Sequence, residues 1–128
     1  MKSGFEPGIA EAWTVTTTPD MGITHLGPDV PSMYSTPSMV SLIEGACVRL
    51  ITKYVDPGEQ SVGFHIDVKH LAPTTIGKQV TANVTLREIN GRRLLFDVEV
   101  TNEDGAKIGE GIHERALIDI KRFAGASG

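Results

Sequence analysis

Residues 36–54 form the one strongly helical pattern in the chain, and nearly everything after them alternates between apolar and polar residues. Apolar side chains recur in this segment at spacings of three and four, which predicts a helix with one broad apolar stripe. Thr36 or Ser35 can cap its start, with Pro37 at the first helical position. The breaker at residues 56–58 ends the pattern after roughly 18 residues, about 27 Å of helix.

Period-two alternation predicts four strands after the helix and a short strand before it. Asn90-Gly91 and Asp104-Gly105 are tight-turn signals, which make the last strands successive hairpins. One amphipathic helix against one half-apolar antiparallel sheet is an α+β sandwich. The hotdog fold, in which a curved antiparallel sheet wraps one long central helix, has this layout. Such a sheet covers its helix incompletely, so a homodimer is expected.

The first strand after the helix has two distinct faces in this pattern. Val62, Phe64, Ile66 and Val68 share the apolar face, and His70 continues that row. Gly63 lies on the opposite face, where it either allows close approach of a ligand or serves curvature. In the last strand, Gly109 and Gly111 predict a bulge or sharp curvature and leave its faces unassigned.

Composition excludes several classes of function. The chain has 128 residues, enough for a single domain over 1–128, and a net charge of −4, which disfavours nucleic-acid binding. No apolar run reaches the ~20 residues that span a membrane, and residues 1–20 lack a signal-peptide pattern. The single cysteine, Cys47, excludes an internal disulfide. We expect a cytoplasmic protein with a frayed tail over 125–128.

Three residues carry the chemical interest, and each also has an ordinary structural interpretation. Glu44 lies at the shoulder of the helical stripe without an ion-pair partner one turn away, so it is either functional or simply half-exposed. His70 is either a proton-transfer group or a histidine satisfied at the core edge. Thr36 is either an N-cap or a hydroxyl beside helix N–H groups that can bind an oxyanion.

No metal or cofactor site is predicted. His65 and His70 are an odd number of positions apart in a strand, so they cannot chelate one metal, and His25 is isolated. Cys47 points into the middle of the stripe, which disfavours a nucleophilic role. Phosphate-binding and nucleophile-elbow motifs are absent from the sequence.

The segment from Thr36 to Arg49 resembles the helix of the hotdog-fold thioesterases related to fluoroacetyl-CoA thioesterase. The similarity continues at residues 56–59, 63–70, 91–94 and 111–116, and its spacing holds from His25 to Phe123. The resemblance implies hydrolysis of a short-chain acyl-CoA thioester in a cleft between two subunits, without metal or cofactor.

The resemblance also implies roles for particular residues. Thr36, Glu44 and His70 match the family's catalytic threonine, glutamate and histidine, and Gly63 matches the glycine near the bound thioester. The family's fluoroacetyl-specific member has a longer, phenylalanine-rich lid before its threonine. Here that segment is only residues 27–35, with Met33 and Tyr34 as the bulky side chains beside the substrate. We therefore expect short acyl-CoA substrates without strong selectivity for fluorine.

Two other functions remain open on sequence grounds. The first is a hotdog hydratase or dehydratase, whose usual Asp/His arrangement does not occur in this pattern. The second is a non-catalytic acyl-CoA-binding dimer that keeps only the fold. Release of free thiol from acyl-CoA distinguishes a hydrolase from both.

Overall fold

The computed structural model describes residues 1–126 as one five-stranded antiparallel sheet with a long helix packed on it. The sheet order is β1-β3-β4-β5-β2, and the long helix α1 contacts β1, β2, β3 and β4. This confirms the predicted hotdog layout. The elements in chain order are β1 (Ala10–Thr16), α1 (Thr36–Thr52), β2 (Glu59–His70), β3 (Gln79–Asn90), β4 (Arg93–Asn102), β5 (Lys107–Asp119) and α2 (Ile120–Ala126).

Ser35, rather than Thr36, caps the start of α1. Its side-chain oxygen accepts a hydrogen bond from the Ser38 backbone N–H at 3.2 Å, and its carbonyl accepts from Met39 N–H at 3.0 Å. Thr36 is therefore the first helical residue and Pro37 the second, one position later than expected. Because capping is done by Ser35, the Thr36 hydroxyl is available for another partner.

The predicted helical stripe forms the centre of the core. Fully buried aliphatic side chains of this kind each contribute about 1.5–3 kcal/mol through removal from water. The helix ends at Thr52, two residues before the predicted end, ahead of the expected breaker. The buried helix residues are Met39, Leu42, Ile43, Ala46, Cys47, Leu50 and Ile51.

A β-bulge in β2 changes which residues face the helix. The register against β5 slips between Gly63 and His65, so Phe64 lies at the bulge with 53% of its surface exposed. Before the bulge Ser61 is buried and Gly63 faces α1; after it Ile66 and Val68 pack on the core. The prediction that Phe64 shares one buried face with Ile66 and Val68 is wrong, because the bulge reverses the alternation.

The two predicted hairpins are confirmed, with one shift in a turn. Asn90 pairs with Arg93, so the two-residue loop is Gly91-Arg92 rather than Asn90-Gly91. In β5, Gly111 is required because a Cβ there would overlap the Asp67 carbonyl oxygen of β2. This explains the glycine as a close approach between strands.

The end of the chain differs from its prediction. The short helix α2 follows β5, and Gly125, expected in a frayed tail, lies within it. Residues 127–128 of that predicted tail lie outside the described residues. The Arg122 backbone N–H donates to Asp119 Oδ1 at 3.0 Å, which holds the first turn of α2.

Candidate active site

Thr36 and His70 meet at the first turn of α1. The Thr36 hydroxyl lies 2.8 Å from His70 Nδ1, although the two residues are 34 positions apart in the chain. Pro37 has no N–H and the Ser38 N–H is occupied by the Ser35 side chain. Within residues 1–126, Thr36 N–H is thus the first-turn amide without a protein acceptor. It can donate to a developing oxyanion.

The His70 ring is enclosed by protein on one side and unpartnered at its far nitrogen. Its Nε2 is buried and has no hydrogen-bond partner in the described part of the chain. Burial lowers the pKa of His70, and the nearby Ala72 backbone only partly opposes it. Among the described residues no ion pair reaches His70, so within one chain burial favours the neutral ring.

The stability of the protein should fall as the pH drops below about 6.5, where unfolded imidazoles take up protons. Burial lowers the folded-state pKa of both His70 and His113, so the unfolded chain binds more protons in this range. The loss should continue until the pH passes below the folded pKa values. Urea unfolding at pH 7.5 and 5.5 measures the free energy of unfolding at each pH. His70→Gln should make the two free energies more alike, and His25→Gln, a change of an exposed histidine, serves as the control.

Glu44 lies farther along α1, against β2. Its side chain is 43% exposed, and its Oε1 lies 4.0 Å from His113 Nε2. A Cβ built on Gly63 would stand 2.8 Å from the same oxygen, closer than such atoms pack. Gly63 therefore provides the space in which the Glu44 carboxylate sits. The expected place of Gly63 beside a bound thioester stays a prediction.

Within one chain the Thr36–His70 pair and Glu44 lie at two separate places. Thr36 and Glu44 are eight helical residues apart, about 12 Å along the axis. Gly63 and His70 stand at opposite ends of a strand segment about 20 Å long. A glutamate side chain cannot cross that distance, so Glu44 does not reach His70 of its own chain.

The two bulky residues before Thr36 occupy different environments. Tyr34 is 3% exposed and belongs to the core, where its ring stands edge-on to the His70 ring with centroids 6.4 Å apart. Burial raises the pKa of Tyr34 to about 12. Met33 is half-buried and forms a β-bridge with Thr75. Tyr34 thus supports the His70 ring from within the protein rather than lying over the site as a surface lid.

Cys47 has no catalytic environment. It is fully buried, and burial raises the pKa of its thiol to about 12, so the nucleophilic thiolate is not formed near neutral pH. Over residues 1–126, no group of three or more His, Cys, Asp or Glu side chains is arranged to hold a metal ion. None of the helices described is long and apolar enough to cross a membrane.

Three polar residues near Glu44 escaped the sequence analysis. Ser61, His113 and Arg115 are 5%, 1% and 5% exposed and form a connected hydrogen-bonded group beside Gly63. The only sequence signal was the presence of His and Arg two positions apart in a strand. Because the faces of β5 were unassigned, that signal did not show that both side chains point into the core.

Comparison with known proteins gives a consistent set of similarities. A family model described as "FlK: Fluoroacetyl-CoA-specific thioesterase" matches residues 17–121. The fluoroacetyl-CoA thioesterase of Streptantibioticus cattleyicolor is 38% identical over 130 residues, covering 96% of this chain and 92% of that protein.

Solved structures agree with the sequence matches. A structure of the fluoroacetyl-CoA thioesterase FlK superposes with a TM-score of 0.89 at 35% identity, covering 98% of this chain and 96% of that one. A hypothetical protein of Thermus thermophilus, a thioesterase superfamily member, gives a TM-score of 0.88 at 27% identity, with 98% and 92% coverage. A variant of FlK in complex with fluoroacetate and CoA is 36% identical, with a TM-score of 0.84 and coverages of 93% and 99%.

Proposed function

The chain belongs to the fluoroacetyl-CoA-specific thioesterase family and is an acyl-CoA thioesterase, and from this premise we propose that Thr36, Glu44 and His70 carry out its hydrolysis of short-chain acyl-CoA. The observation that carries the assignment is the 2.8 Å contact between Thr36 Oγ1 and His70 Nδ1 at the start of α1. These groups lie where a thioester oxygen would find the first-turn N–H of Thr36.

The chemistry divides between a nucleophilic step and proton transfer. Glu44 either attacks the thioester carbonyl, forming an anhydride that water then opens, or takes a proton from water that attacks directly. In both routes the C–S bond breaks, the thiolate of CoA leaves, and a proton must reach its sulfur. In the direct route, the proton that Glu44 takes from water passes through His70 to the sulfur. In the anhydride route the thiolate leaves first, and His70, whose pKa burial lowers, takes a proton from the water that opens the anhydride and passes it to the thiolate.

We further propose a homodimer in which each site combines two chains. Among the described residues β2 pairs only with β5, so its outer edge leaves backbone groups unpaired. Two such edges can pair antiparallel about an axis through Asp67, which aligns Ile66 with Val68 of the partner subunit. Because Phe64 is the extra residue of the bulge, this pairing sets Gly63 opposite His70 of the partner subunit. Directly opposed residues point to the same face. Glu44, seated on Gly63, then lies on the same face of the sheet as His70 of the partner subunit.

Light scattering tests the assembly directly. We expect a particle of twice the 13.7 kDa chain mass at micromolar concentration, because one helix and one sheet in a chain this short bury limited apolar area. Particles of 13.7 kDa alone would contradict the shared site. The exposed Phe64 on β2 allows a second test, because Phe64→Ser should weaken an interface built on this edge.

Short acyl chains should be preferred, without strong discrimination for fluorine. The segment before Thr36 has no phenylalanine, and its one large buried ring, Tyr34, is part of the core. One small substituent in a loosely closed apolar pocket is worth only about 1–3 kcal/mol. The measurement is kcat/KM for acetyl-, fluoroacetyl-, propionyl- and a long-chain acyl-CoA, followed by release of free thiol.

The same panel contains the outcomes that would reject each part. A fluoroacetyl preference above roughly 10⁴-fold exceeds what such a pocket supplies. A preference for the long chain would reject the short-acyl assignment. Binding without thiol release would indicate a non-catalytic acyl-CoA-binding dimer, and hydration of crotonyl-CoA would indicate a hydratase.

We propose that the enzyme acts in the cytoplasm on free acyl-CoA, without nucleic-acid or membrane partners. The acidic balance of 16 Asp and Glu against 12 Lys and Arg disfavours polyanions. The single buried thiol is compatible with a reducing compartment. Activity in a clarified soluble fraction, with none retained on sedimented membranes, is the expected result.

A further inference from the structure

Arg115 and His113 form a buried polar pair on β5 that the reaction as proposed so far does not use. Arg115 Nε donates to Ser61 Oγ at 2.8 Å, and its Nη2 donates to the Ser61 carbonyl at 3.1 Å. Its third nitrogen, Nη1, lies 3.3 Å from His113 Nε2. The guanidinium plane is therefore fixed from two sides by neighbouring strands.

The hydrogen bonds determine where the charge lies in this pair. His113 Nδ1 is 2.7 Å from the His65 carbonyl oxygen, which can only accept, so Nδ1 carries the proton. Nε2 is then free to accept from Arg115. Burial, reinforced by the charge of Arg115, lowers the pKa of His113, which keeps the ring neutral. The positive charge of the cluster is thus located on Arg115 alone.

A buried guanidinium is costly unless an anion faces it. Within residues 1–126 no carboxylate lies within 4.0 Å of Arg115, and Glu44 is the carboxylate directed at the cluster. The Cβ position of Gly63 is 2.8 Å from Glu44 Oε1 and 3.6 Å from Arg115 Nη1. The carboxylate oxygen and the guanidinium nitrogen therefore both border the position that a methyl group at residue 63 would occupy. Cys47, the other titratable group facing Arg115, is neutral because burial raises its pKa to about 12.

We propose that Arg115, oriented by Ser61 and His113, is a positioning residue that fixes the Glu44 carboxylate over Gly63 in its reactive orientation. The inference rests on the proposed role of Glu44 in thioester hydrolysis. Arg115 is 5% exposed and held by three hydrogen bonds, so it sets a fixed direction of attraction for a side chain that is itself half-exposed. A glutamate on a helix surface otherwise samples several rotamers.

The test removes the charge of the Arg115 side chain while keeping most of its volume. Arg115→Met should fold, retain KM within a few-fold and lower kcat by about 100-fold, the scale expected when a reacting group is misplaced by about 1 Å. In Arg115→Ala, added guanidinium ion should partly restore kcat, whereas urea, which has the same shape but no charge, should not. Ser41→Ala, a change of an exposed helix serine, is the control and should leave both constants unchanged.

Several results would overturn the proposal. A parental kcat in Arg115→Met, or a raised KM with kcat unchanged, would assign Arg115 to stability or to substrate binding. Equal rescue by guanidinium and urea would indicate repair of a cavity. If the Arg115 variants do not fold, Ser61→Ala, which removes one of the three anchors, should lower kcat in the same direction, and an unchanged kcat there would contradict the role.

Crystal structures of the parent and Arg115→Met decide the point without turnover. The Glu44 carboxylate should leave the position over Gly63 in the variant, and an unchanged position would overturn the proposal. A parent that releases no thiol from any acyl-CoA would instead reject the proposed function, and the position of Glu44 would still test the role of Arg115.

Discussion

Two inactive variants, Glu44→Gln and His70→Ala, should regain about half of the parental activity when one chain of each is combined in a dimer. Each variant alone should lose about 10²- to 10⁴-fold in turnover, the usual contribution of a positioned acid, base or nucleophile. In the mixed dimer one shared site keeps both parental residues and the other loses both. The physical reason is the separation of about 20 Å between Gly63 and His70 along β2, which prevents one chain from completing a site.

The measurement uses two affinity tags, so that only the mixed dimer is purified and assayed. A preparation carrying Glu44→Gln on both chains, purified through the same tags, controls for contaminating parental enzyme. A verified mixed dimer that stays inactive would show that Glu44 and His70 act within a single chain. The pairing about Asp67 would then be wrong.

Replacing Gly63 by alanine should lower kcat by about 100-fold while leaving the fold intact. The new methyl group would stand 2.8 Å from Glu44 Oε1 and 3.6 Å from Arg115 Nη1. The carboxylate end of a flexible side chain can move away more cheaply than the strand can, so the cost falls on the orientation of Glu44. Circular dichroism and thermal unfolding should therefore change little, and steady-state kinetics should show the loss in kcat.

Gly125→Ala is the matched control, because nothing lies within 4 Å of a Cβ at that position. It should leave the kinetics unchanged and can slightly stabilise α2. If Gly63→Ala instead raises KM with kcat unchanged, the glycine serves close approach of the substrate, as the resemblance implies. Parental kinetics in Gly63→Ala would show that the carboxylate does not work from the position over Gly63.

Local sequence rules were sufficient for the long helix and the hairpins. Helical spacing of apolar residues reports burial directly, and glycine at a turn reports a backbone conformation. The bulge at Phe64 had no comparable signal, because it exists in the register between β2 and β5. Two strands 50 residues apart must already be paired before that slip has any meaning.

In the site, too, some residues can be predicted from local sequence and others only once the strands are paired. Thr36, Glu44 and His70 are predicted from individual residue types and a family resemblance, and each also has an ordinary interpretation. Arg115 and Ser61 meet only after β2 and β5 pair, since they are 54 positions apart in sequence. Polar side chains that satisfy one another across strands look like surface residues in a linear pattern. Their burial was therefore invisible before the fold was known.

The bulge also makes the arrangement of the helix-facing residues depend on parity. Gly63 and His70 are seven positions apart, an odd number, and an unbroken strand would send them to opposite faces. The single extra residue at Phe64 converts that odd separation into an even one, so both point toward α1. The strand must therefore keep the number of residues between Gly63 and His70, whereas the side chain at the bulge is free to vary. Many residues are compatible with position 64, but a chain one residue shorter there would turn half of the site to the outside of the sheet.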